Sequence, residues 1–264
     1  MSDLRSTTLG SMSYWEMRAA LEWQIAMGVD EAILVAPIDR TEAPKPVENT
    51  VSAVQPSEAL SMDPVSVAMK LAEEAKDLEA LKSAMQAYDH CDLKRGAKQL
   101  VFSDGQVGAP VMIIGEAPGR DEDIEGRPFV GRAGKLLDLM FSHVGLSRQT
   151  ADVQKSLYIA NVLPWRPPQN RDPKPDEMAM MLPFLLKHIT IANPKIVVAM
   201  GNHACQALIG KRGITRLRGS WNEALGKPVL PMFHPAYLLR TPEAKREAWA
   251  DLLALRAKVD SVSG

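Results

Sequence analysis

Val111-Met112-Ile113-Ile114-Gly115 decides the fold, and it runs directly into Glu116-Ala117-Pro118-Gly119-Arg120-Asp121-Glu122-Asp123. Four apolar residues, three of them β-branched, stop at a Gly and a nearby Pro. That is the pattern of a short strand buried on both faces. Residues 157–163, 196–201 and 229–234 repeat the texture. Between these runs lie stretches long enough for helices, notably 134–144, 175–189 and 203–209. Buried strands alternating with helices predict an α/β domain whose parallel sheet carries helices on each face.

Each run also ends in a segment too specific for a generic turn: GEAPG, NVLPWRPPQNR, GNHA and HPAYLLR. Parallel strands share a direction, so their carboxyl ends share one rim, where open sheets bind ligands. A site is therefore expected on that rim.

Composition narrows the kind of site. Of the 264 residues, 46% are hydrophobic, enough for a core, and no apolar stretch reaches the roughly 18 residues that span a bilayer. Residues 1–10 lack the apolar centre of a secretory signal, so a cytoplasmic protein is expected. Cys91 and Cys205 are too few for a disulfide framework. The net charge of −1 hides an asymmetry. Residues 1–90 carry 15 acidic and 7 basic side chains, whereas residues 91–264 carry 17 and 24. A basic half suits an anionic partner such as DNA. Neither GxGxxG nor GxxxxGK[ST] occurs, which counts against a nucleotide-binding phosphate loop.

Three segments are expected. Residues 1–36 hold an amphipathic helix over 13–30, with Trp15, Leu21, Trp23, Ile25 and Met27 near helical spacing and Gly28 as its stop. Residues 37–64, with five prolines and no apolar period, read as a disordered linker. Residues 65–264 form the α/β domain, entered through a helical pattern over 65–88. An amphipathic helix on an acidic tether suits a protein partner.

The rim supplies recognisable chemistry. The Gly115–Gly119 stretch, made rigid by Pro118 between its glycines, lets a ligand approach backbone amides, with Gly115 and Ala117 as expected substrate-binding positions and Glu116 and Glu122 beside them. In Gly126-Arg127-Pro128-Phe129-Val130-Gly131 the ring of Phe129 stands outside any periodic run, which suits either stacking on a flat ligand or anchoring the loop in the core. Asn161, at a strand end, offers a donor and an acceptor that match a pyrimidine edge. His234, followed by Pro235, fixes an imidazole at the mouth.

Taken in order, GEAPGxxED, GRPFVGxAG, NV…RPPxNR and HPAYLLR resemble the signatures of family-4 uracil-DNA glycosylases over about residues 88–255. The resemblance implies a three-layer α/β/α fold with a central four-stranded parallel sheet. It implies a monofunctional DNA glycosylase of base-excision repair, a hydrolase that flips uracil out of single- or double-stranded DNA and leaves an abasic site. Phe129 would stack on the base, Asn161 would hold its polar edge, and His234 would donate toward the uracil O2. In the first glycosylase family a GQDPYH loop places an Asp where this chain has Ala117, so Glu116 is the expected water-positioning group. The aromatic that excludes the thymine methyl there is absent at Gly119, and Glu122 is expected to fill that space. Pro118, Gly119, Arg166, Pro167, Tyr237, Leu238 and Arg240 would press on DNA, with phosphate contacts from Lys211, Arg212, Arg216 and Arg218. A monomer is expected. The alternatives are a non-catalytic lesion-binding module and a glycosylase of altered specificity, for example for hypoxanthine.

The chain departs from the family in one respect. Family-4 enzymes typically hold a [4Fe–4S] cluster on four cysteines, and the matching positions here are Tyr88, Cys91, Trp165 and Met181. With one thiolate of four, no iron–sulfur cluster and no other cofactor is expected. A related branch traps itself covalently through a His in a basic loop. The corresponding residues 169–175 contain no His.

Overall fold

The computed structural model describes residues 63–263 and, before them, Arg18 alone. The chain divides into two compact units, Met1–Ala59 and Leu60–Gly264. The helix expected over 13–30, apart from Arg18, and the linker expected over 37–64, apart from Asp63 and Pro64, lie outside the described residues.

The second unit opens with α1 (Pro64–Glu74), α2 (Leu78–Ala87) and the short α3 (Leu93–Gly96). It continues through β1 (Asp104–Gly105), β2 (Val111–Gly115), α4 (Arg120–Glu125), α5 (Arg132–Ser142), β3 (Leu157–Asn161) and α6 (Pro175–Ala192). Then follow β4 (Ile196–Met200), α7 (Gly201–Ile209), α8 (Ile214–Leu217), β5 (Asn222–Ala224), β6 (Lys227–Met232), α9 (Pro235–Arg240) and α10 (Lys245–Ser263). The single helical pattern over 65–88 is thus two helices. Asp77 accepts a hydrogen bond from the Ala80 amide at 2.8 Å and starts the second one, as Asp63 does for the first by accepting from Ser66 at 3.1 Å.

The sheet has six strands in the order β1-β3-β2-β4-β6-β5. Its four central strands run parallel, as the apolar runs predicted. The outer pairs, β1 with β3 and β5 with β6, are antiparallel. At two and three residues, these edges are too short to carry a periodic signal.

Alternation along the strands builds two cores. Val111 and Ile113 point to one face, where Leu137 and Phe141 of α5 and Leu252, Leu255 and Val259 of α10 cover them. Met112 and Ile114 point to the other, against Leu185 and Ile189 of α6 and Cys205 and Leu208 of α7. Each such side chain, fully buried, contributes about 1.5–3 kcal/mol. The three layers follow from this.

Because β2 lies between β3 and β4, the chain leaves it first to one side and later to the other. The crevice beyond its carboxyl end is the switch point of the sheet. Register sets Gly115 level with Asn161, and Met200 level with Met232. The GEAPG loop therefore starts in the middle of the rim.

Candidate active site

That crevice is a cavity of about 460 Å³. Glu116, Ala117, Pro118, Gly119, Glu122, Phe129, Asn161, Pro167, His234, Tyr237 and Arg240 all line it, drawn from the segments that end β2, β3 and β6 and from the Phe129 loop. Ala133, Asn170, Arg171, Asp172 and Ala236, which fall within the segments quoted above but had no individual role there, also line it.

Phe129 is held in an unusual backbone conformation, with φ at +55°. For a bulky side chain this costs on the order of 1–3 kcal/mol and persists only where neighbours enforce it. Four neighbours do so. Arg148, whose side chain is buried, donates to the Pro128 carbonyl at 2.8 Å and to the Phe129 carbonyl at 2.7 Å. Glu122 Oε1 accepts from the amides of Val130 and Gly131, both at 3.1 Å. Gly134 allows the turn, since a Cβ there would overlap the Phe129 carbonyl. Gly115 clears the ring itself, since a Cβ there would fall on Asn161 Oδ1 and within 2.6 Å of Phe129 Cε2. The Phe129 ring then stacks on His234, with centroids 5.3 Å apart and 28° between planes.

His234 caps α9. Its Nδ1 accepts from the Ala236 amide at 3.2 Å, which assigns the proton to Nε2. Burial pushes its pKa below the usual imidazole range, against the upward pull of Glu116 and Glu122 and with a smaller downward push from Arg240. The result at neutral pH is a neutral imidazole with one N–H to offer. Asn161 is buried, and its amide makes no hydrogen bond to any described residue. Its donor and acceptor remain for a ligand.

Glu122 does more than line the wall. Its Oε2 accepts from the Gly119 amide at 3.1 Å and lies 2.7 Å from where a Cβ on Gly119 would sit. The carboxylate thus occupies the space of a side chain at 119 and ties the two loops together. Glu116 has a partner that the sequence reading missed. His203 Nδ1 lies 2.6 Å from Glu116 Oε2, and Arg212 Nη2 donates to His203 Nε2 at 3.1 Å. The signal was present in GNHA, already marked as an unusual strand end.

Of the residues expected at the DNA surface, Leu238 and Arg218 are committed elsewhere. Leu238 is fully buried with Phe233, Ala244 and Ala248, because α9 turns it inward and leaves Tyr237 and Arg240 toward the cavity. Pro118 and Pro167 are buried in the cavity wall rather than standing out as wedges. Arg166 lies outside the lining and donates to Asn170 Oδ1 at 2.8 Å. Arg218 pairs with the buried Asp251 and lies over the Phe233 ring, so it is not free for phosphate, whereas Lys211 and Arg216 are exposed.

The sequence profile of the Uracil DNA glycosylase superfamily matches residues 102–253. The chain belongs to this superfamily. Within it the resemblance is to the type-4 branch. The chain is 40% identical to the "Type-4 uracil-DNA glycosylase" of Thermotoga maritima over 166 residues, 62% of this chain and 83% of that protein. It is 36% identical to the protein of the same name from Sulfurisphaera tokodaii over 189 residues, 68% and 83% of the two chains. Identity to the "Type-5 uracil-DNA glycosylase" of Pyrobaculum aerophilum is 29% over 170 residues, 60% and 74% of the two chains.

The four positions matched in the sequence to cluster cysteines come together in the fold. Tyr88, Cys91, Trp165 and Met181 are all buried in one apolar cluster with Leu81, Leu163 and Phe184, and Ala117 of the GEAPG loop packs against it. The Tyr88 hydroxyl donates to the Pro64 carbonyl at 2.8 Å, and burial pushes its pKa up to about 12. Burial raises the pKa of the Cys91 thiol as well. A protonated thiol, a committed hydroxyl, a thioether and an indole do not fit a cluster that takes four thiolates. Among the described residues, no group of three or more His, Cys, Asp or Glu side chains is placed to hold a metal ion.

Proposed function

We propose that this chain is a uracil-DNA glycosylase that works without an iron–sulfur cluster, in which packing among Tyr88, Cys91, Trp165 and Met181 does the cluster's structural work. Membership of the superfamily supplies the reaction class, and the convergence of Phe129, Asn161 and His234 on one cavity carries the assignment of roles. A uracil turned out of the stack slides against the Phe129 ring, a contact worth about 1–3 kcal/mol. The Asn161 amide meets its polar edge. As the N-glycosidic bond breaks, negative charge gathers on the base, and the His234 Nε2–H donates to it. A donor aimed at charge that exists mainly in the transition state lowers the barrier without tightening the ground state. Glu116, on the same wall, orients the attacking water and offsets positive charge on the sugar. Tyr237, Arg240 and the exposed Lys211 and Arg216 face the DNA backbone. A cytoplasmic monomer acting on single- or double-stranded DNA is the setting we propose. No described helix is long and apolar enough to cross a membrane.

The assay uses the full chain with uracil in single-stranded DNA and in U·G and U·A duplexes, with thymine and hypoxanthine controls, followed by alkaline cleavage of abasic sites. Strand scission at uracil is expected, and His234→Ala should slow it about 100- to 1000-fold. No scission from any uracil substrate overturns the reading. The purified protein should contain far less than stoichiometric iron, and Cys91→Ala should excise uracil at the parental rate. A stoichiometric cluster would reverse the second half of the proposal.

A further inference from the structure

His203 sits at the start of α7, next to the carboxyl end of β4 and one strand from Glu116. Its ring is buried between two charged groups, the Glu116 carboxylate on one side and the Arg212 guanidinium on the other. One neutral tautomer satisfies both: Nδ1–H donates to Glu116 Oε2, and Nε2 accepts from Arg212. The 2.6 Å separation marks a short bond to a charged acceptor. Glu116 itself lines the cavity and its side chain is one-third exposed, with no described residue bonded to Oε1. A carboxylate on a flexible stem at a cavity wall would otherwise sample several rotamers. Here one oxygen is pinned and the other is left for water.

We propose that His203 is a positioning residue for base excision: its Nδ1–H holds the Glu116 carboxylate in the orientation that directs water, and Arg212 holds His203 in the tautomer that can do so. This rests on the glycosylase reading above. His203 touches neither base nor sugar. It acts only through Glu116, so its effect must vanish when Glu116 no longer has a charge to orient.

The test is a double-mutant cycle on single-turnover excision from a single-stranded uracil oligonucleotide, with DNA affinity measured separately and folding followed by thermal melting. His203→Phe keeps a ring but removes the N–H, and should slow excision about 10- to 100-fold, the scale of a misplaced reacting group, with little change in DNA affinity. His203→Asn, which restores an N–H near the same place, should recover most of the rate. In a Glu116→Gln background, His203→Phe should cost nothing further. Arg212→Ala leaves the ring in place and serves if His203→Phe melts early; it should slow excision without lowering the melting temperature. Full rate in His203→Phe, failure of Asn to rescue, or multiplicative losses in the double variant would each overturn the inference while leaving the glycosylase reading intact. If the wild-type chain excises no uracil, both fall together.

Discussion

The guanidinium of Arg148 donates to the carbonyl oxygen of Phe129 at 2.7 Å. The same group reaches the Pro128 carbonyl, Asp104 and Asp138, so one buried cation fixes the loop that carries the stacking ring. The ring's backbone is strained, and the strain is balanced from behind, outside the cavity. Pre-organisation of the base platform thus depends on a residue that never meets the base.

Replacing Arg148 with Met should therefore damage both stability and turnover. Two carbonyls and two carboxylates lose a donor, at a cost of about 2–3 kcal/mol because the carboxylates retain some water. Urea unfolding should register that loss. Excision should slow by more than the change in DNA affinity explains, since the platform is loosened and the phosphate-facing residues are not.

Gly115→Ala separates function from folding. The added methyl meets the side chains of Asn161 and Phe129 rather than backbone; both are buried, so the protein should fold, with overpacking costing about 1–3 kcal/mol of stability. Uracil excision should drop at least about 100-fold, because a displacement near 1 Å at reacting groups has that effect. An active Gly115→Ala protein would show that Asn161 and Phe129 do not need their present positions.

Glu122 occupies the space beside Gly119 and ties that loop to the Phe129 loop. Glu122→Ala is expected to lower uracil excision and to admit thymine, measured on matched uracil and thymine oligonucleotides. Lower uracil activity with no thymine excision would leave Glu122 as a loop tie and remove its role in selectivity.

His188 stacks on Phe102, with centroids 4.4 Å apart, and shares a 2.9 Å hydrogen bond with the Tyr158 hydroxyl. Burial lowers its pKa from 6.5 to about 4. Below pH 6.5 the unfolded chain takes up a proton that the folded chain refuses, so stability falls as the pH drops toward 4. At about 1.4 kcal/mol per unit, the full loss is about 3 kcal/mol. His188→Gln should flatten that part of the acid limb in urea titrations at pH 7 and pH 4.5. An unchanged slope would place the acid sensitivity elsewhere, for example at carboxylates.

The sequence by itself determined the four parallel strands, the layers and most of the cavity wall. Those features are local: a β-branched run terminated by Gly, Pro or Asn declares its own conformation, and parallel strands necessarily deliver their ends to one rim. Glu116, Asn161 and His234 were legible for that reason, and Phe129 was legible as an aromatic between Pro128 and Gly131 outside any periodic run. What the tertiary structure alone decided depends on which strands became neighbours and which way a short helix turned. Glu116 meets His203 across 87 residues only because β2 and β4 are adjacent. Arg148 reaches Phe129 because α5 folds back over the sheet, and Leu238 left the DNA surface because one turn of α9 rotates it into the core. Such pairings are set by the close packing of distant segments, and no local pattern of residues encodes them.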